Sequence, residues 1–190
     1  PVDTSYFGHY EDIDANRRVV VLFTQEVNKL SEGDVGVQGF FLPLDLASSG
    51  RNAGQVPSTS VRTCPASNEA EVIYTRVADP EGQVGPGISK SDVIQNTPRL
   101  VAHELQHLIQ AERRILHSQT RFSEVEDVWL DEALSSLAEE VVGLTVVGFG
   151  VRGDYTFDQL TDTRSRLDAF NTYHFNNFLN LSLYMFDPNA

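Results

Sequence analysis

Apolar positions along this chain follow two periods. Short runs of β-branched and aromatic residues occupy the first half, and helical spacing takes over near residue 97. Val19-Val20-Val21-Leu22-Phe23 is continuous and apolar, which predicts a buried strand. Gly39-Phe40-Phe41-Leu42 predicts a second short strand stopped by Pro43. Glu71-Val72-Ile73-Tyr74-Thr75-Arg76-Val77 is the clearest strand, ended by Asp79-Pro80. Thr24 to Leu30 fits a helical turn or an irregular exit. Gly33, Gly36 and Gly39 break the chain after it. Residues 47–68, rich in Ser, Gly, Asn, Pro and Thr, predict a long surface loop.

Thr97-Pro98 has the form of a helix start, with Thr as N-cap and Pro in the first helical position. The helix is expected from Pro98 to about His117. At roughly 100° per residue, Val101, Leu105, Leu108 and Ile109 share one face while His103, Glu104 and His107 lie on another. A polar, acidic stretch over 118–128 predicts a connector. A second helix follows over about Val128 to Leu144, with Leu130, Leu134, Leu137 and Val141 at helical spacing. Gly148 and Gly150 mark a break, residues 157–168 are expected to be helical in part, and Asn171 to Phe186 predicts an apolar, aromatic-rich packing helix. There is no internal repeat or low-complexity tract.

At 190 residues the chain fits a single domain over residues 1–190, with continuation beyond the C-terminus left open. Its 41% hydrophobic and 22% charged residues are ordinary for a soluble globular protein. No apolar run approaches the ~20 residues that span a bilayer. Pro1 opens in polar sequence, so the expectation is a mature form without its leader or a chain that never had one. The net charge of -13 argues against nucleic acid or an anionic membrane as a partner held by bulk charge. The one cysteine, Cys64, excludes an internal disulfide and reads as structural rather than nucleophilic. The glycines at 82, 85 and 87 do not form a phosphate-binding G-x-G-x-x-G.

The chemistry lies in His103-Glu104-Leu105-Gln106-His107, an H-E-x-x-H pattern. On a helix, residues i and i+4 project side by side, so His103 and His107 can hold two corners of a zinc tetrahedron. Glu104 stands beside them, suited to take a proton from an activated water. A catalytic zinc site usually takes three protein ligands. An extension with Gly at 110 and His at 113 would supply one, but this chain has Gln110 and Arg113. His117 is ten residues beyond His107, about 15 Å by helical rise, too far to share the ion. Glu132, at the start of the second helix and in the context W-L-D-E-A-L, is the favoured third ligand. Glu124, Glu126, Asp127, Asp131, Glu139 and Glu140 are the competing acids.

V-A-H-E-L-Q-H-L-I followed by W-L-D-E-A-L-S-S-L-A-E-E resembles the hyicolysin-type bacterial metallopeptidases, whose pattern reads H-E-F-Q-H-x-I and then W-L-N-E-G-L-S-x-x-A-E. D-I-D-A-N-R-R-V-V-V-L-F-T and S-N-E-A-E-V-I-Y also look like that family, and the likeness covers about residues 10 to 142. Leu105, Asp131 and Ala133 depart from the pattern, and Ala133 replaces a glycine that allows close backbone approach. The resemblance implies an α+β, zincin-like fold. A small twisted mixed sheet would pack on the helix carrying H-E-x-x-H, and a second helix would carry the Glu ligand. It also implies zinc held by His103, His107 and Glu132, Glu104 as general base, a protein or peptide substrate, and a secreted, cell-surface or periplasmic location. The competing expectation is a zincin-fold binding or adhesion module without hydrolysis. A structural zinc site ranks below both, since it normally shows cysteine ligands.

Tyr173 and His174, in the aromatic C-terminal segment, are candidate donors to the developing oxyanion, with packing as the alternative. Glu139 and Ser136 are candidate partners for the histidine rings. Asp12-x-Asp14-x-Asn16 has the alternation of a calcium loop, but Arg17 stands where its glycine belongs and Phe23 where its last acid belongs. A turn before a strand is the favoured reading there, with calcium the weaker alternative. Substrate preference and oligomeric state are not written in the sequence.

Overall fold

The computed structural model describes residues 2–31, 36–50, 64–117 and 127–187. Part of the expected long loop (51–63), Gly33, and most of the acidic connector (118–126, with Glu124 and Glu126) lie outside the described residues, as does the side chain of His117.

A short helix α1 (Val2–Phe7), which periodicity did not reveal, precedes a three-stranded sheet and packs against two later helices. The strands are β1 (Val20–Phe23), β2 (Gly39–Phe41) and β3 (Val72–Thr75), in the order β1-β3-β2. β1 runs parallel to β3 in the register Val20↔Val72 to Phe23↔Thr75. β2 runs antiparallel to it, Phe41 facing Ile73. A one-turn helix α2 (Gln25–Lys29) follows β1, capped by Thr24.

The central strand is the buried one. Val72, Ile73 and Thr75 are enclosed, while Val20, Leu22 and Phe23 are each more than a third exposed. The expectation of a buried strand at 19–23 is therefore corrected: β1 is an edge strand, and its apolar run is half covered.

Helix α3 (Lys90–Glu112) crosses the sheet. It begins eight residues before the expected Pro98. Ser89 and Asp92 form a reciprocal capping box, Asp92 N donating to Ser89 Oγ at 3.1 Å and Ser89 N to Asp92 Oδ2 at 3.3 Å. Pro98 lies inside the helix, where it lacks the N–H that would bond the Ile94 carbonyl. Beyond Glu112 the coil widens to a π turn over Arg113–His117. Leu105, Leu108, Ile109 and Ile115 bury against Phe41, Leu46 and Ile73, forming the core that anchors α3 by the face opposite its histidines. At roughly 25 cal/mol per Å² of apolar surface, each such side chain contributes about 1.5–3 kcal/mol.

Helix α4 (Val128–Val146) returns across α3. Its buried face is Ser135, Ala138, Glu139, Val141 and Gly143; Leu137, expected inside, is half exposed. The chain then forms α5 (Phe157–Thr161), α6 (Arg164–Ala169), a π turn over Phe170–His174 and α7 (Phe175–Phe186). No residue of α7 is buried, contrary to the packing expected of it. No described helix is long and apolar enough to cross a membrane.

The glycine-rich loop after β3 closes on itself. Asp79 accepts from Gln83 N at 3.1 Å and Val84 N at 2.7 Å, so these amides are already occupied by a carboxylate.

Candidate metal centre

Two helices build the site. On α3, the i, i+4 spacing sets the His103 and His107 rings edge to face, with centroids 4.8 Å apart. Just past the first turn of α4, Glu132 reaches back to them. Its Oε2 lies 3.3 Å from His103 Nε2, and its Oε1 lies 3.7 Å from His107 Nε2. One donor atom from each of the three falls within 4.8 Å of the others.

Each histidine is held from behind. His103 Nδ1 is 2.8 Å from Glu139 Oε1, and that same oxygen takes Arg99 Nη1 at 2.9 Å. His107 Nδ1 is 3.0 Å from Asp131 Oδ2 and 3.1 Å from Ser135 Oγ. With Nδ1 as the donor to a carboxylate, the Nε2 lone pair of each ring is turned toward Glu132. Burial disfavours charge on His107, but Asp131, Glu104 and Glu132 together outweigh it and raise its pKa.

Glu104 is buried beneath the rings. Its Oε2 accepts from Phe41 N at 2.9 Å, an N–H that β2 does not use for pairing with β3. Burial raises its carboxyl above the ordinary value, against the pull of His107, His103 and the Phe41 amide. These residues open into a cleft of about 840 Å³, walled by residues 36–41 on one side and by Arg99, Arg114, Asp131 and Asn176 on the other. Gly39 is required in that wall, since a Cβ would stand 2.5 Å from the Tyr74 carbonyl and 2.6 Å from Leu100.

This chain is similar to a metalloprotease. It is 26% identical over 141 residues to the neutral metalloprotease ShpI of Staphylococcus hyicus, a match covering 74% of this chain and 27% of that protein. The chain thus spans about a quarter of the length of that relative. No family model matches the chain. The likeness supports a metallopeptidase relationship, and the mixed α+β architecture is consistent with a zincin-like fold.

The donor set fits zinc. Two imidazole nitrogens and a carboxylate oxygen are its ordinary ligands, and in a tetrahedron with bonds of about 2.0–2.1 Å neighbouring donors lie about 3.3–3.4 Å apart. Glu132 reaches this scale of separation from both rings, through different oxygens: Oε2 is 3.3 Å from His103 Nε2 and Oε1 is 3.7 Å from His107 Nε2.

Four residues singled out in the sequence thus converge: His103, Glu104, His107 and Glu132. Glu139 stands behind His103 as expected. Ser136 does not do the same for His107; its neighbours Ser135 and Asp131 do, and Asp131 had been counted only as a competing ligand. Tyr173 and His174 do not line the cleft. They pack on Gly143 of α4, whose added Cβ would meet Tyr173 Cβ at 2.6 Å and His174 Cε1 at 2.8 Å. Gly143 is eleven residues beyond Glu132, about 16 Å along the helix. The His174 ring is also engaged by Glu140 through Nδ1. Arg99, Arg114 and Asn176 are among the cleft polar groups that sequence reasoning missed. Arg99 carried a signal in retrospect, one turn before His103 on the same helix.

Proposed function

We propose that this chain is the core of a zinc-dependent metalloendopeptidase, with His103, His107 and Glu132 as metal ligands and Glu104 as general base. The observation that carries the reading is the convergence of three zinc-type donors directly above a buried glutamate at the floor of an open cleft. Zinc bound there would supply Lewis acidity toward both a water and the scissile carbonyl.

The chain's own groups account for the proton. Phe41 N holds Glu104 Oε2, leaving Oε1 to accept a proton from the attacking water. A carboxyl raised by burial is a stronger base toward that water than an ordinary carboxylate, and the proton it takes passes on to the departing amine. Glu139 and Asp131 hold the two rings in the tautomer that keeps Nε2 unprotonated. Arg99, fixed by Glu139, puts a positive charge on the cleft wall, suited to developing negative charge on a peptide oxygen. The outer edge of β2, where Phe41 N is already held by Glu104, forms the opposite wall, and an extended peptide can align along the rest of it. The reading includes a secreted, cell-surface or periplasmic location, testable by fractionation of the producing cell.

The experiment is hydrolysis of unfolded casein by the zinc-loaded chain. Activity that is removed by a zinc chelator and falls by at least 10²-fold in Glu104→Ala supports the reading. Activity that survives Glu104→Ala defeats the mechanism. A wild type that binds zinc yet cleaves nothing favours the binding module instead.

A further inference from the structure

A second group of ligand-type oxygens lies away from the histidines. Asp12 and Asp14 sit in the loop between α1 and β1, and Glu71 directly precedes β3. One carboxylate oxygen from each falls within 4.8 Å of the others. The sheet brings them together: β1 and β3 run parallel, and Val20 N donates to the Glu71 carbonyl at 2.8 Å, so Glu71 is carried to the base of the loop.

Glu71 is the observation that asks for a ligand. Its side chain is fully buried, Oε1 accepts from Ile13 N at 2.7 Å, and Oε2 has no hydrogen-bond partner among the described residues. Among the described residues no ion pair reaches Asp12, Asp14 or Glu71. A buried carboxylate with an unsatisfied oxygen is costly unless a cation or a proton compensates it.

The loop itself removes both sequence objections to calcium. Its sixth position needs a left-handed backbone, normally supplied by glycine. Arg17 occupies that position and adopts φ +61°, with its N–H donating to Asp12 Oδ1 at 2.9 Å. Its last acid is absent from the linear motif, but Glu71 supplies a carboxylate from the neighbouring strand. We propose that Asp12, Asp14 and Glu71 form a second metal site, separate from the histidine cluster, that binds calcium. An all-oxygen, carboxylate-rich set of this kind selects a hard cation over zinc, and its irregular loop suits calcium better than the strict octahedron of magnesium.

Burial, with Asp14 and Asp12 adding to it, raises the Glu71 carboxyl against the Ile13 amide, and calcium would reverse that repulsion. Beside the site, Glu11 N donates to Glu112 Oε2 at 2.5 Å, so the segment before β1 is also tied to α3. The ion itself would join that segment to the start of β3.

Calcium titration of the zinc-loaded chain, read by calorimetry and by thermal melting, tests this. One calcium per chain is expected, with a Kd of about 10⁻⁵ to 10⁻³ M and a melting temperature that climbs with calcium concentration. Asp14→Asn, at an exposed position that leaves the fold intact, should weaken binding at least 10-fold, and Glu71→Gln should abolish it. Glu132→Ala should bind calcium as the wild type does, which separates this site from the zinc reading. No calcium binding by the wild type, unchanged affinity in Asp14→Asn, or magnesium binding as tight as calcium would overturn the proposal.

Discussion

Glu139 Oε1 lies 2.8 Å from His103 Nδ1 and takes Arg99 on the same oxygen, so one carboxylate orients a proposed metal ligand and fixes a cation on the cleft wall. Glu139 and Glu132 are seven residues apart, two turns along one face of α4. The helix that carries the proposed third ligand therefore also carries the group that orients the proposed first. Glu139 is almost wholly buried, which keeps its field unscreened by water.

Glu139→Gln should weaken zinc binding about 10- to 100-fold, the usual cost of losing such a carboxylate. Competition against a chromogenic chelator measures it. Asp131→Asn should cost less, because Ser135 Oγ also stands 3.1 Å from His107 Nδ1. Equal zinc affinity in Glu139→Gln and wild type would show that His103 needs no orienting partner.

Gly143→Ala forces a Cβ to within 2.6 Å of Tyr173 Cβ, where neither backbone can yield without parting α4 from the turn that follows α6. Overpacking of this kind costs about 1–3 kcal/mol. The expected fall in melting temperature is roughly 2–4 °C for each kcal/mol in a chain of this size. An unchanged melting temperature would mean that the C-terminal helices are not seated on α4 as described.

Much of this was legible from residue order alone. The i, i+4 histidines, the separate apolar face of Leu105, Leu108 and Ile109, and Glu132 at the head of the next helix are local patterns, and local patterns survive folding. One local pattern, the capping box, was overlooked; the rest of what the order hid was non-local. The capping box at Ser89 outranked the Thr97-Pro98 signal because two reciprocal hydrogen bonds start a helix that one proline does not stop. The half-exposed state of β1 depends on its position at the sheet edge, which an apolar run does not encode. Asp131 and Ser135 meet His107 only because α4 crosses α3, and Glu71 meets Asp12 and Asp14 only through the parallel pairing of β1 with β3.

Stability should fall with rising pH through Glu112. Burial above all raises its carboxyl from 4.5 to about 8, with Glu71 adding and the Glu11 amide opposing. A carboxyl raised in the folded state keeps its proton there longer than in the unfolded chain. The folded state is thus favoured below pH 4.5, loses ground between 4.5 and 8, and levels off above. Asp3, raised from 3.8 to about 6 chiefly by burial, acts in the same direction over a lower window. In calcium-free buffer, the melting temperature of Glu112→Gln relative to wild type should increase steadily from pH 4.5 to 8. A pH-independent difference would show that Glu112 ionises normally in the folded chain.

The most direct test of the central claim is the zinc content of the purified chain and its ligand variants by elemental analysis. One zinc per chain is expected in the wild type and in Glu104→Ala, and close to none in His103→Ala or Glu132→Ala. A wild type without zinc, or a Glu132→Ala variant that keeps it, would contradict the three-ligand site built by α3 and α4.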